Sequence, residues 1–344
     1  MITSKKLAEM AGVSRGTVDR ALNNRGNVNV TTRQKILEIA QLLNYKPNRA
    51  GKALVSQQKK IKIGCIIIDA RNPFYDDLYR GIMLKAEEYA SFGIEVLVER
   101  VSVNGKAQCV CIDRFLAMGI NALMIQPVNE AIVTEKLRNL TQKGISVVTT
   151  NTNSAGFEPF CYIGNDFFTC GKIAANLLDL FTNGVCNIGI VTGFRKAQSH
   201  VERITGFEEY IHDHEGMRVV SIVENQDDEV ESFSVTKRLL EDHPKINALF
   251  LVAGGIYGAG KALKAFPDRY IKAISFDESP TTKELVLDGT ILATICQQPV
   301  RQGCLSLEVL FDYLIDNKRP SSSKIYTDIH IKLRSNINLQ PGYQ

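Results

Sequence analysis

The sequence predicts an α/β protein in which a small, basic, all-helical headpiece precedes a two-lobed body of parallel sheets flanked by helices. Three observations carry this. From residue 61 onward ten short apolar runs, starting with "KIGCIIID" and "IEVLVERV" and ending with "IKAISFD" and "ILATICQQ", alternate with amphipathic stretches of helical period, the pattern of parallel strands joined by crossover helices. Ten or more strands exceed one comfortable sheet, so the body divides into two units with a cleft between them. The formal charge of +4 also hides a split: residues 1–60 hold 12 Lys/Arg against 3 Asp/Glu, and the remainder holds 29 against 34. A basic end on a mildly acidic body marks a polyanion partner for the first and a different task for the second.

In the headpiece, "TSKKLAEMAGV" sets Leu7, Ala8, Met10 and Ala11 on one side of a short helix, with Thr3 or Ser4 as cap and Gly12 just after it. After a tight turn Ser14 caps a second helix, "SRGTVDRALNN", whose Val18, Ala21 and Leu22 face inward while Arg15, Gly16, Thr17 and Arg20 face out. Two short helices joined this closely make a helix-turn-helix. A third helix opens at "TTRQKILEIAQLLNY", where Thr31 and Gln34 fit a capping box and Ile36, Leu37, Ile39, Ala40 and Leu43 form the apolar stripe. The basic "PNRAGKALVSQQ" that follows is a marginal helix or linker that orders only against a partner. The competing reading is a solvated bundle with an accidental basic face.

From "KLAEMAGVSRGTVDRALNNRGNVNVTTRQKILEIAQLLNYKPNRAGKAL" the headpiece resembles the lactose-repressor (LacI/GalR) family of bacterial transcription regulators. The resemblance implies that the second helix enters the major groove. It gives Arg15, Gly16 and Arg20 the base-reading places, and Ser14, Thr17, Asn23 and Thr32 phosphate or cap roles. It makes residues 48–60 a hinge helix and linker that bring Asn48 and Arg49 to operator DNA, with Leu54 at the leucine that wedges into a minor-groove step. Asp19 departs from the serine common there and sets a carboxylate near phosphates, where it weakens nonspecific affinity or finds Arg15 or Arg20 as partner. Residues 1–47 are then the DNA-binding domain and 61–344 the effector-binding and dimerisation domain. The lobes are expected at about 61–160 with 296–322, and at about 161–295 with 323–344.

In sheets of this kind ligands sit outside the carboxyl ends of the strands. The side chains just past those ends are Asn72, Phe74 and Tyr75 after the first strand, Asn151 after the fourth, Asp277 after "AISF" and Gln297 after "ATIC", with Arg203 on the helix after "IGIVTG". Amide, carboxylate and guanidinium groups bond adjacent hydroxyls in pairs, and an aromatic ring covers an apolar C–H face, so the set suits a sugar. Each residue taken alone is more often a turn or cap; Asn72 before Pro73 is a natural turn. "IGCIIIDARNPFYDDLYRGI", "RITGFEEYI", "ISFDESP" and "ATICQQPVRQGCLSLEVL" resemble the effector domain of the same family and type I periplasmic sugar-binding proteins. That implies ligand positions for Asn72, Phe74, Arg203, Asp277 and Gln297. Where many such relatives have an Asp-Arg pair after the fourth strand, this chain has Asn151-Thr152.

"AGGIYGAGKA" at 253–262 approaches a phosphate loop, since Gly255, Gly260 and Lys261 fit G-x-x-x-x-G-K, but Ala262 stands where Ser or Thr holds magnesium. A nucleotide-binding enzyme using residues 255–261 is therefore the alternative reading, and a solute-binding protein a third. The resemblance places Gly254 and Gly255 where sugar-responsive relatives carry an Asn-Asp pair. That leaves room and exposed backbone N–H groups for a bulkier or anionic sugar-like ligand, with Gly258 and Gly260 packing the helix on its sheet and Lys261 in solvent. "HDH" at 212–214 puts its histidines off a common helical face, and "CVC" at 109–111 lacks a second pair at zinc spacing. No cofactor, metal or catalytic constellation is expected. Eight cysteines, mostly inside apolar runs, read as core residues in a reducing compartment, and the absence of an apolar leader argues for the cytoplasm. The expected partners are near-palindromic operator DNA, a small sugar-like effector and a second copy of the chain, with no membrane.

Overall fold

The structure, a computed structural model, describes residues 4–22, 26, 28–43, 60–69, 72–194 and 197–339. Helices α1 (Ser4–Ala11), α2 (Arg15–Leu22) and α3 (Val30–Leu42) close on Leu7, Ala8, Ala11, Val18, Ala21, Ile36 and Ala40. Gly12 supplies the left-handed turn at φ 70°, and Ser14 caps α2 by accepting the Thr17 amide at 3.1 Å. The start of α3 differs from the capping box expected at Thr31. Asn29 is the cap, its Oδ1 accepting from the Thr31 amide at 2.9 Å. Gln34 donates forward to Glu38 instead of back to a cap. An asparagine two residues upstream is at least as good a cap as threonine and adds two residues of helix, Val30 and Thr31. Met10 (47% exposed) and Leu37 (41%) fall outside the core, because three short helices enclose only the centre of each stripe. Thr3, Asn23, Asn48, Arg49, Leu54 and the hinge helix expected around them lie outside the described residues.

The first lobe runs β1 (Lys62–Ile68), α4 (Pro73–Ala90), β2 (Glu95–Val101), α5 (Gly105–Ala117), β3 (Ala122–Ile125), α6 (Ala131–Gln142), β4 (Ser146–Thr150) and β5 (Cys161–Gly164), and is completed by α12 (Pro299–Asp316) and β11 (Lys324–Tyr326). Its sheet has the order β11-β5-β4-β3-β1-β2, every neighbouring pair parallel. The second lobe runs α7 (Phe167–Thr182), β6 (Cys186–Thr192), α8 (Gln198–Ile211), β7 (Met217–Glu224), α9 (Glu229–Asp242), β8 (Ala248–Leu251), α10 (Ile256–Lys264), β9 (Lys272–Phe276), α11 (Pro280–Leu287), β10 (Ala293–Cys296) and β12 (His330–Leu333). Its order is β12-β10-β9-β8-β6-β7, and only β12 is antiparallel to its neighbour. Helices cover both faces, so the strands are continuous apolar runs: Ile63, Cys65 and Ile67 of β1 and Ile188 and Ile190 of β6 are buried. Each such side chain contributes about 1.5–3 kcal/mol by leaving water. Seven of the eight cysteines are buried and none is bonded.

The lobe boundaries expected from sequence need correction. β5 pairs with β4 (Val148↔Cys161) and belongs to the first lobe, and β11 joins it there instead of returning to the second lobe. Only β12 returns to the second lobe. Strand periodicity marks an element but carries no information on which sheet accepts it. The chain therefore crosses between lobes three times, around 165–166, 297–298 and 327–329. Gln302, fully buried on the first turn of α12, ties these crossings together. Its Nε2 donates to Asn165 Oδ1 (2.9 Å) and to the Gln297 carbonyl (2.7 Å), while Asn165 Nδ2 donates to the Thr327 carbonyl (3.1 Å).

Candidate functional site

Parallel strands aim all their carboxyl ends at one edge of a sheet, and both sheets turn that edge toward the crossings. From β1, Asn72 caps α4 by accepting the Phe74 amide at 2.9 Å, and Phe74 is buried edge-on to Tyr75, ring centroids 5.5 Å apart. From β4 comes Asn151, held left-handed at φ 62° while the Tyr162 hydroxyl donates to its carbonyl at 3.1 Å. From β9 comes Asp277, also left-handed at φ 64°, and from β10 comes Gln297. Asn72, Phe74, Asp277 and Gln297 line one cavity of about 250 Å³.

The amides form a directional relay. Gln126 Nε2 donates to Asn151 Oδ1 (3.0 Å), Asn151 Nδ2 to Gln297 Oε1 (3.2 Å), and Gln297 Nε2 to Asp277 Oδ1 (2.5 Å). One chain of hydrogen bonds thus runs from β3 of the first lobe to β9 of the second.

Arg203, 3% exposed, stacks its guanidinium over Phe276 (3.9 Å) and Phe167 (4.8 Å), and its Nη1 donates to the Val252 carbonyl at 2.7 Å. Helix α8 approaches α7 closely enough to seat it there because Gly171 offers no side chain: a Cβ would lie 2.0 Å from the Arg203 carbonyl oxygen. Burial lowers the Arg203 pKa, opposed first by Asp277. Burial raises Asp277 against the pull of Arg203 and the Gln297 amide. The Tyr75 phenol is pushed up by burial and then by Asp227 and Asp277. These four groups, one from the first lobe and three from the second, therefore share one electrostatic environment. Burial also holds the His200 imidazole down at about 3, with Arg203 acting the same way, so it is neutral at neutral pH.

Seven of the eight effector-site residues expected from sequence, Asn72, Phe74, Tyr75, Asn151, Arg203, Asp277 and Gln297, thus lie at the carboxyl edges facing the crossings. Gly254 lies there too, but neither the space beside it nor its amide is free, since an added Cβ would lie 3.1 Å from Asp227 Oδ1. The Gly254 amide is occupied by Asp227 Oδ1 (2.8 Å) and the Gly258 amide by Glu229 Oε2 (2.7 Å). Two of the amides around this helix start are therefore already taken. The run 256–264 is helix, capped by Gly255 at φ 79°, instead of a phosphate-cradling loop. Gly258 and Gly260 pack against neighbouring helices, not the sheet: added Cβ atoms would meet the Glu229 carbonyl at 1.9 Å and Leu285 at 2.5 Å. Lys261 is exposed over the Tyr257 ring, and Ala262 is fully buried. Gln126 and Asp227 escaped the sequence reading, although both follow strands directly. Testing every strand end, including β3 and β7, finds them.

In the headpiece, Ser14, Arg15, Gly16 and Arg20 are exposed on α2 with Thr17 half-buried, and Thr32 is half-buried within α3. Ser14 Oγ and Thr17 Oγ1 lie 2.9 Å apart, and Arg20 Nε donates to the Gly16 carbonyl at 3.1 Å. Among the described residues no group of three or more His, Cys, Asp or Glu is arranged to hold a metal, and no helix is long and apolar enough to cross a membrane. His214 instead stacks on Tyr210.

Known proteins share both halves. Residues 3–48 match the family described as bacterial regulatory proteins, lacI family, and residues 63–318 match the periplasmic binding protein domain. The catabolite control protein A of Priestia megaterium is 25% identical over 94% of this chain and 95% of its own length. The ribose operon repressor of Halalkalibacterium halodurans is 26% identical over 95% and 94%. A glucose-galactose binding protein from Geobacillus stearothermophilus superposes with a TM-score of 0.74 at 23% identity, covering 81% of this chain and 99% of that one, which shows the fold of the body. With a DNA-reading headpiece joined to a two-lobed binding body, and relatives alike along nearly their whole length, the chain belongs to the lacI family of bacterial transcriptional regulators.

Proposed function

We propose that this regulator represses transcription as a homodimer on a near-palindromic operator and changes its operator affinity when a neutral sugar or sugar derivative closes the cleft. The observation that carries the reading is the convergence of Asn72, Phe74, Tyr75, Asn151, Arg203, Asp277 and Gln297 on the facing carboxyl edges of two lobes that share three crossings. Solved structures of similar fold carry D-arabinose, myo-inositol and D-allose, all polyhydroxy ligands of the kind this residue set suits.

The headpiece supplies the DNA contacts: Arg15 and Arg20 toward bases, Ser14, Thr17, Asn23 and Thr32 toward phosphates, and Asn48, Arg49 and Leu54 in the hinge. Two-fold symmetry of a dimer gives the palindrome. Exposed Met83 and Leu84 on α4, beside the edge strand β2, supply an apolar face for the second copy. Closure alters the separation of the two hinge segments and hence their ability to order on DNA, which couples the two sites. Function in the cytoplasm follows from the DNA target.

Fluorescence anisotropy on genomic fragments at fixed salt, with and without a panel of sugars, tests the reading. Binding that falls steeply with salt and shifts with one sugar supports it. Absence of affinity for every fragment overturns it.

A further inference from the structure

Asp227, on the loop after β7, holds the Gly254 amide but has so far been given no part in ligand binding. Resting on the proposed effector site, we propose that Asp227 sets effector specificity, selecting neutral or amino-bearing polyols that donate hydrogen bonds and rejecting phosphorylated ones.

Three strand ends converge to place this carboxylate. Gln226 and Asp227 are consecutive left-handed residues at φ 55° and 56°, a conformation that non-glycine residues hold only where their surroundings impose it. Here Asn225 imposes it, its Oδ1 accepting the Asp227 amide (3.0 Å) while its Nδ2 donates to the Gly254 carbonyl (2.8 Å). The carboxylate then occupies the space vacated by two glycines. A Cβ on Gly193, at the end of β6, would lie 2.3 Å from Asp227 Oδ1 and 2.7 Å from Oδ2. A Cβ on Gly254, at the end of β8, would lie 3.1 Å from Oδ1. What the sequence presents as spare room is therefore the seat of a carboxylate. The residue remains exposed, and its field reaches both Tyr75 of the first lobe and Arg203 of its own.

The charge pattern decides the ligand class. Arg203 is buried and stacked between two rings, and Asp277 and Asp227 outnumber it. A carboxylate only accepts hydrogen bonds, so it favours hydroxyl and ammonium donors. A phosphate dianion would meet the charges of Asp227 and Asp277, and beside the start of α10 Asp227 and Glu229 already hold the Gly254 and Gly258 amides.

The test is calorimetric titration of the full chain with D-ribose, D-galactose, myo-inositol, D-glucosamine and the phosphate monoesters of ribose and galactose. The wild type is expected to bind at least one unphosphorylated probe and to bind the phosphate esters more weakly than their parents. Asp227→Asn keeps an oxygen for the Gly254 amide but removes the charge, and should weaken the bound probe roughly ten- to a hundredfold. Gly193→Ala should do the same by displacing the carboxylate, and the double variant should be no weaker than the worse single one. A purely structural cap would leave the Asn variant's ligand profile unmoved, and that result overturns the proposal. So does a phosphate ester bound more tightly than its parent sugar. Binding of no probe by the wild type overturns the effector reading and this proposal with it, whereas binding that Asn72→Ala abolishes and Asp227→Asn leaves intact overturns this proposal alone.

Discussion

Arg203→Met removes a guanidinium while leaving a flexible apolar chain to fill most of its volume, so the loss can be worked group by group. The Val252 carbonyl loses a charged donor at 2.7 Å, a bond of about 1.5–3 kcal/mol. Two ring contacts, at 3.9 and 4.8 Å, forfeit about 1–2 kcal/mol more for a desolvated cation. Relief of the arginine's own desolvation, seen in its lowered pKa, offsets part of this. The net cost is about 3 kcal/mol, or roughly 6–12 °C in the melting transition at about 2–4 °C per kcal/mol. The cost must also depend on pH. Asp277 is already raised above its ordinary 3.8 by burial, and Arg203 is the first influence opposing that rise; without it the folded-state value climbs further. A carboxyl group with a raised folded-state pKa contributes stability below its ordinary value, and that contribution is lost as pH rises through the folded-state value. The variant's deficit should therefore stay at about 3 kcal/mol in buffer below 3.8, where the carboxyl is protonated in both states, and grow larger toward neutral pH. Differential scanning calorimetry of both proteins across that window reads it. A deficit below about 1 kcal/mol, or one that does not change with pH, would refute the reasoning.

Two other substitutions test separate parts of the structure. Gly206→Ala places a Cβ 2.0 Å from the Phe168 carbonyl oxygen, so α7 and α8 must part; a loss of about 3 kcal/mol is expected in urea unfolding, and near-neutral behaviour would show that the helix pair is not closely packed. Arg15→Ala should relax discrimination at one base pair of each half-site by about 1–3 kcal/mol, read by competition with singly substituted operators; uniform weakening over all sequences would move Arg15 from base to phosphate.

The strands were legible because a strand buried on both faces must be apolar throughout: "KIGCIII" and "CNIGIVT" leave no other reading. Their assignment to lobes was not legible, since β5 and β11 differ from their neighbours in no property that sequence records. The site was largely legible through one topological rule, and Asn72, Asn151, Asp277 and Gln297 each follow a strand. It was incomplete where that rule was applied to some strand ends only, which left out Gln126 and Asp227. The glycine run misled for a physical reason. An absent side chain looks like empty space in a sequence, whereas in the fold that space is filled from a different strand, by Asp227 after β7. Cap competition between Asn29 and Thr31 could not be ranked without the backbone.

The three crossings between lobes impose an order of completion on the nascent chain. Among the described residues the headpiece core draws on positions 7–43, which emerge early in synthesis. The first lobe waits for α12, whose Leu307, Leu310 and Phe311 finish its core, and for β11 at its sheet edge. The second lobe waits for β12. A ribosome that stalls before residue 299 thus releases a chain that holds every buried residue of the headpiece core but lacks an element of each lobe.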